Sequence, residues 1–204
     1  MTTEAAHEAY SRRAADYIDA VGRIEHAAQW DRDYLLAWAR SIDGRVIDVG
    51  CGPGQWTNYF HEAGIDIEGV DPSEVFIAEA KRSYPDVHYR LGRAEGLDLA
   101  DSSAGGILAW FSLIHVDPAT VQEPLREFAR CLVPGGSVAL GFFDGPAREP
   151  FDHAITTAYY WSVNALSSEL DQAGFDVTDS VTRHGPGVRR QGVIVARLRD
   201  PVSA

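Results

Sequence analysis

The chain has little of what most specialised protein classes require. Its 204 residues include only two cysteines, Cys51 and Cys131. That is too few for a disulfide framework or a cysteine-rich metal site, and both are expected to be reduced thiols of a cytoplasmic protein. Positive charge is also scarce, with 18 Lys and Arg against 30 Asp and Glu and a formal net charge of −12. Nucleic-acid backbones and anionic membranes both reward basic residues, so neither is expected as a partner. No run of about 18 apolar residues is present to span a membrane. The opening MTTEAAHEAYSRRAADY lacks the apolar core of a secretory signal. The seven histidines form no HxxxH pair and have no cysteine beside them, so no metal is expected. A G-x-S-x-G nucleophile elbow is missing too.

What is there is the composition of an ordinary globular protein, 45% hydrophobic and 24% charged, long enough for one domain over 1–204. Residues 1–42 read as N-terminal helices, with a break at Gly22, and 43–204 as the core. From Arg45 a rhythm begins. RVIDVG (45–50) is a short buried strand, and 54–63 has helical spacing and stops at Gly64. IDIEGV (65–70) is strand-like, 73–83 is a helix opened by Pro72-Ser73, and 87–91 is a strand. GGILAWFSLI (105–114) reads as a longer strand, 118–132 as a helix closed by PGG (134–136), and SVALGFF (137–143) as another buried strand. This alternation predicts a doubly wound α/β sheet. A helix over 163–173 precedes two strands, 175–180 and 192–198, with no helix between them, so these should pair antiparallel at one edge.

In such a sheet, ligands bind beyond the carboxyl ends of the strands. VIDVGCGPG (46–54) is such an end, with Gly50, Gly52 and Gly54 clearing the backbone of side chains. An isolated G-x-G-x-G reads equally well as a plain tight turn. Gln55 stands where a dinucleotide-binding G-x-G-x-x-G wants its last glycine, which counts against a nicotinamide cofactor. Asp71 ends the second strand, where a carboxylate can accept both hydroxyls of a ribose.

Taken in order, VIDVGCGPG, EGVDPSEVFIAEAKR (68–82), GRAEGLDL (92–99), ILAWFSLIHV (107–116), LREFARCLVPGGSVAL (125–140) and WSVNALSSELDQAGFDV (161–177) resemble the class I S-adenosylmethionine-dependent methyltransferases, over residues 45 to 198. The resemblance implies a Rossmann-like, seven-stranded, mostly parallel sheet of order 3-2-1-4-5-7-6 with an antiparallel last strand. It also implies S-adenosylmethionine as cofactor. Asp48 matches the acid that helps hold the ammonium of the methionine moiety, and Gly50, Cys51, Gly52 and Gly54 match the backbone around it. Asp71 matches the ribose-binding acid; Pro72 and Phe76 flank the adenine, Phe76 standing where many relatives carry Met. Ala94 and Glu95 match the loop at the adenine edge, and Trp56 and Trp110 complete the expected cofactor contacts. One departure is Gly92-Arg93-Ala94, where many relatives read Gly-Asp-Ala, so an acceptor for the adenine amino group is missing.

Between cofactor and acceptor the resemblance places Phe111 and His115. A histidine there suits deprotonation of an acceptor hydroxyl or amine, since its reference pKa is about 6.5; a structural or positioning role remains open. Tyr10 and Tyr17 share one helix face, either as part of a lid or as core residues. The aromatic group Phe142, Phe143, Phe151, Tyr159, Tyr160 and Trp161 reads as an acceptor pocket for an apolar or planar small molecule, or as the wall of a cap. Phe143 and Tyr160 are its chosen substrate residues, and His153 is a second candidate base. The expected function is methyl transfer to O, N or C of a small molecule. The alternatives are a nicotinamide-dependent oxidoreductase and a non-catalytic S-adenosylmethionine-binding protein.

Overall fold

Val46, Ile47 and Val49 are β-favouring and almost wholly buried, so β1 (Val46–Val49) can only be a strand covered on both faces. The computed structural model describes residues 18, 22–153, 156–185 and 188–200. Before β1 lie a short 3-10 turn (Ile24–His26) and helix α1 (Gln29–Arg40); Tyr10 and Tyr17 fall outside the described residues. After it come α2 (Gln55–Glu62), β2 (Ile67–Asp71), α3 (Glu74–Ser83), β3 (His88–Leu91) and β4 (Ala104–Trp110). Then follow a 3-10 turn (Leu113–His115), α4 (Gln122–Cys131), β5 (Leu132–Phe143), β6 (Pro150–Asp152), β7 (Thr157–Tyr159), α5 (Val163–Gln172), β8 (Phe175–Arg183) and β9 (Gln191–Leu198).

The sheet has seven strands in the order β3-β2-β1-β4-β5-β9-β8, parallel from β3 to β5 and antiparallel through β9 and β8. This is the expected doubly wound, Rossmann-like topology. The labels of the last two strands change because β6 and β7 form a separate hairpin that the residue pattern did not reveal. Strand order reverses between β1 and β4, which both pair with each other and diverge to opposite sides.

Side chains alternate along β1. Ile47 and Val49 face a core built with Leu125 and Phe128 of α4 and Leu166 and Leu170 of α5. Val46 faces the other core, with Leu35 and Trp38 of α1 and Trp56 and Phe60 of α2. By that alternation Asp48 points to the α2 side. Each fully buried Leu or Phe contributes about 1.5–3 kcal/mol, so both layers are needed to hold the sheet. Helix α1 is therefore a structural layer: Trp38 Nε1 donates to Ser137 Oγ at 3.0 Å, and Tyr34 donates to Asp179 at 2.7 Å. Asp31 of α1 also pairs with Arg183 of β8. Among the described residues, no helix is long and apolar enough to cross a membrane.

The helix expected from 118 starts at Gln122 and the strand expected to end at 180 runs to Arg183, and two further boundaries move. The fourth strand stops at Trp110 instead of running to Ile114, because Phe111 turns the chain with φ of +55°. The PGG at 134–136 does not follow a helix into a loop: β5 begins directly at Leu132. The ladder pairs Ala104 with Leu132 and next Gly106 with Ser137, so residues 133–136 form a bulge in which Gly135 takes a φ of +72°.

Candidate functional site

The turn after β1 needs its glycines for backbone reasons. Gly50, Gly52 and Gly54 all adopt positive φ, at +74°, +55° and +89°, where a side chain is strained. The space beside them is filled by the protein itself. A Cβ on Gly50 would lie 2.3 Å from Cβ of Ser112, and one on Gly54 would lie 2.7 Å from the Tyr89 hydroxyl. The turn's amides face inward as well: Gly50 and Cys51 both donate to the Val70 carbonyl, at 2.7 and 3.1 Å. Cys51 packs its buried side chain with Ile77, Ala80 and Tyr89, and burial pushes its thiol well up. What this turn offers a ligand is thus its position and its neighbouring carboxylates.

Asp48 and Asp71 supply those carboxylates, both buried at the carboxyl ends of adjacent strands. Thr57 of α2 donates its hydroxyl to Asp48 Oδ2 at 2.7 Å. Burial nevertheless pushes Asp48 up to about 7; the Thr57 bond works against that rise and the charge of Asp71 adds to it. Asp71 is bound into the backbone: Gly52 N–H donates to Oδ2 at 2.9 Å and Ser73 N–H to Oδ1 at 2.8 Å. It therefore clamps the glycine turn to the start of α3. Two mutually repelling buried carboxylates favour a cation between or beside them.

The expected adenine edge is assembled from three segments. Ser73 caps α3 by accepting from Phe76 N–H at 3.4 Å, and Phe76 is buried in the first turn of that helix, with Pro72 half-buried before it. Ala94 packs against the main core and Glu95 is half-buried, whereas Arg93 is exposed at a tight turn closed by Gly96 N–H on its carbonyl at 3.1 Å. Helix α4 holds this loop: Glu127 accepts from Leu97 N–H at 2.7 Å, and Arg130 donates to the Leu99 carbonyl at 2.8 Å.

From the glycine turn an aromatic line runs outward. Trp56 of α2 meets Trp110 at a ring separation of 5.7 Å, and Trp110 meets Phe111 at 4.9 Å. Phe111 meets Phe143 at 5.0 Å, Phe143 meets Phe151 at 5.3 Å, and Tyr160 stacks on Phe151 at 4.2 Å. Gly141 makes the crossing possible, since a Cβ there would lie 2.7 Å from the Trp110 ring. Trp56 is built into the core beneath α2, while Trp110, Phe111, Phe143 and Tyr160 are only half-buried. Phe142, the neighbour of Phe143, points the other way into the main core.

His115 lies beside this line. Its Nδ1–H donates to the Thr157 carbonyl of β7 at 2.7 Å, which fixes the neutral tautomer and makes Nε2 the basic nitrogen. Burial pushes its pKa down to about 4, so the ring is neutral near pH 7. The β6–β7 hairpin is held by neighbours: Arg148 N–H donates to the Tyr160 carbonyl at 2.7 Å, and the Arg148 side chain bonds the buried Glu169 of α5 at 2.5 Å. The structure joins Phe111, Phe143 and, through Phe151, Tyr160 in one aromatic line with His115 beside it, and it adds Thr57, Tyr89 and Ser112, which the residue pattern had not singled out. A threonine nine residues after Asp48, on the first turns of α2, was a legible signal for the first of these.

Ser112 tests whether an S-adenosylmethionine-sized ligand fits. Its buried hydroxyl has no hydrogen-bond partner among the described residues, and it stands directly over Gly50. A buried orphan hydroxyl costs roughly 1–3 kcal/mol unless a ligand supplies its partner. Together with the two carboxylates it makes a donor and acceptor set suited to a zwitterionic amino-acid end. The residues fit the group.

Residues 46–136 match the family model described as a methyltransferase domain. Over 168 residues the chain is 31% identical to an uncharacterised methyltransferase of Synechocystis sp., covering 78% of each. It is 32% identical to a demethylmenaquinone methyltransferase of Beutenbergia cavernae over 60% of this chain, and there spans only 50% of the relative's length. The fold is shared with a Burkholderia thailandensis 1,6-didemethyltoxoflavin-N1-methyltransferase solved with 1,6-didemethyltoxoflavin and S-adenosylhomocysteine. That likeness has a TM-score of 0.80 at 24% identity and covers 97% of this chain and 88% of the other. With the glycine turn, the strand-end acids and the sheet order in agreement, the chain belongs to the class I, Rossmann-like S-adenosylmethionine-dependent methyltransferases.

Proposed function

We propose that this chain transfers the methyl group of S-adenosylmethionine to a small-molecule acceptor. The observation that carries the reading is the convergence of Asp48, Asp71 and the orphan Ser112 hydroxyl on one glycine turn at the point where strand order reverses. Asp48 would face the ammonium of the methionine end and Asp71 would accept the ribose hydroxyls. Pro72, Phe76, Ala94 and Glu95 would border the adenine, with no side-chain acid at Arg93. The bound cofactor supplies an electrophilic methyl on a sulfonium. The protein's work is then mainly alignment, which can contribute about 7–11 kcal/mol to the rate. The half-buried rings of Phe111 and Phe143 would hold the acceptor, and Nε2 of the neutral His115 would take its proton as the bond to the methyl forms. The acidic balance of the chain supports a small-molecule acceptor over a nucleic acid. A cytoplasmic setting fits two buried thiols without a disulfide.

Calorimetric titration with S-adenosylhomocysteine tests the cofactor half; absence of binding at high micromolar concentration would sink it. A screen of small acceptors with detection of S-adenosylhomocysteine tests turnover, and tight cofactor binding without product for any acceptor would favour the non-catalytic reading. A nicotinamide cofactor is disfavoured by Gln55, which starts α2 where close approach to a pyrophosphate wants glycine.

Ser112→Ala gives a graded check. Removing an orphan hydroxyl should leave the ligand-free protein as stable as before or slightly more so, while affinity for S-adenosylhomocysteine falls about fivefold. Thermal melts with and without ligand separate the two effects. Lower stability with unchanged affinity would place Ser112 in the scaffold alone.

A further inference from the structure

The hairpin β6–β7 carries a second histidine that the reading above does not use. His153 follows β6, and its ring makes an edge contact with His115 at 5.3 Å between centroids. On its other sides it meets Phe143 at 5.8 Å and Phe151 at 6.3 Å. Its surroundings are therefore aromatic, and it lies alongside the Phe143–Phe151 stretch of the aromatic line. Yet its Nδ1 is buried with no hydrogen-bond partner among the described residues. Burial holds His153 below the ordinary histidine value, with the charge of Arg189 acting in the same direction, so the ring is neutral near pH 7.

A neutral imidazole nitrogen among phenylalanines is a costly choice if only packing is wanted, since an unmet buried polar atom costs roughly 1–3 kcal/mol and a phenylalanine would fill the space without that cost. Bonds from its neighbours run elsewhere: His115 donates its own Nδ1–H to Thr157, and Arg189 donates to the Asp152 carbonyl and the Tyr160 hydroxyl while lying over the Phe151 ring. Phe151 is thus covered by Tyr160 and Arg189, which leaves half-buried Phe143 as the ring beside His153, with half-buried Phe111 next to it at 5.0 Å.

Resting on the methyltransferase reading, we propose that His153 is the specificity element of the acceptor site. Its Nδ1 hydrogen-bonds a hydroxyl on a planar aromatic acceptor whose ring lies against Phe111 and Phe143. A hydroxyl can give or accept the bond, so it serves either tautomer of His153. A site built to bond a hydroxyl rejects the analogue lacking it, because the histidine nitrogen then stays unmet.

The probes are 2-naphthol and naphthalene, equal in ring and differing in one hydroxyl. Their affinities for the full chain are measured by equilibrium dialysis, with saturating S-adenosylhomocysteine and without it, so that a failure of cofactor binding is seen separately. Wild type is expected to hold 2-naphthol at least about fivefold more tightly than naphthalene. In His153→Phe the two affinities should come within twofold of each other, and His153→Asn, whose amide reaches near the Nδ1 position, should restore part of the preference. If His153→Phe fails to fold, nitrogen NMR of the wild-type ring decides: 2-naphthol must shift the His153 Nδ1 resonance and naphthalene must not. Equal binding of the two probes, binding of neither, a preference that survives His153→Phe, or an unmoved Nδ1 resonance would each overturn the proposal.

Discussion

Asp71→Ala is expected to lower affinity for S-adenosylhomocysteine by more than about a hundredfold, which corresponds to about 2.7 kcal/mol. It should also lower the melting temperature of the ligand-free protein. The two losses have different origins. Asp71 accepts from the backbone amides of Gly52 and Ser73, and bonds to a charged acceptor are worth about 1.5–3 kcal/mol each. Losing both leaves two buried amides unmet, so the melting point should fall by roughly 10 °C. The affinity loss comes from removing the carboxylate that would meet the ribose hydroxyls and from slackening of the turn that Asp71 holds. Asp71→Asn keeps one acceptor oxygen and should lie between wild type and alanine in both measurements. An alanine variant whose affinity stays within threefold of wild type would remove Asp71 from the cofactor site, whatever its stability.

The second large effect is in pH. Asp48 is pushed up to about 7 by burial, so a cationic ammonium can pair with it fully only after its proton has left. Affinity for S-adenosylhomocysteine should therefore be about tenfold lower at pH 6 than at pH 8, with a plateau above. Stability of the ligand-free protein runs the opposite way. The folded Asp48 binds its proton more tightly than the unfolded chain does, so its contribution is fully present below about pH 4 and is lost as pH rises through about 7. Thr57→Val removes the one hydroxyl that favours the ionised form and should move the affinity midpoint to higher pH. Calorimetry across this range in buffers of differing ionisation heat would also register proton release on binding below pH 7. A flat affinity profile in both proteins would show that Asp48 does not meet the ligand's charge.

The two halves of the site were unequally legible. The cofactor half is written in short local stretches: a strand, a glycine turn and a strand-end acid have recognisable residue patterns wherever they occur. Asp48, Asp71 and the three glycines could be chosen from VIDVGCGPG and GVDPS because strand alternation and positive φ are properties of neighbouring residues. The hairpin was not legible, since Pro150–Asp152 and Thr157–Tyr159 are three residues each and too short to display a period. The long strand expected to Ile114 was likewise misplaced, because nothing apolar distinguishes Trp110 from Phe111 until the backbone turns between them.

By itself the sequence determined the layered α/β sheet, which depends on local periodicity and turn chemistry, while the strand order followed from the family resemblance of its motifs taken together. Only the tertiary structure decided which rings and histidines meet. Phe111 reaches Phe143 because β4 and β5 run side by side with Trp110 opposite Gly141, and His115 is turned and fixed by a carbonyl 42 residues away on β7. The same folding brings His153 onto His115 and closes Ser112 over Gly50. Contacts between distant segments follow from how strands and hairpin pack, and no local pattern of residues encodes them.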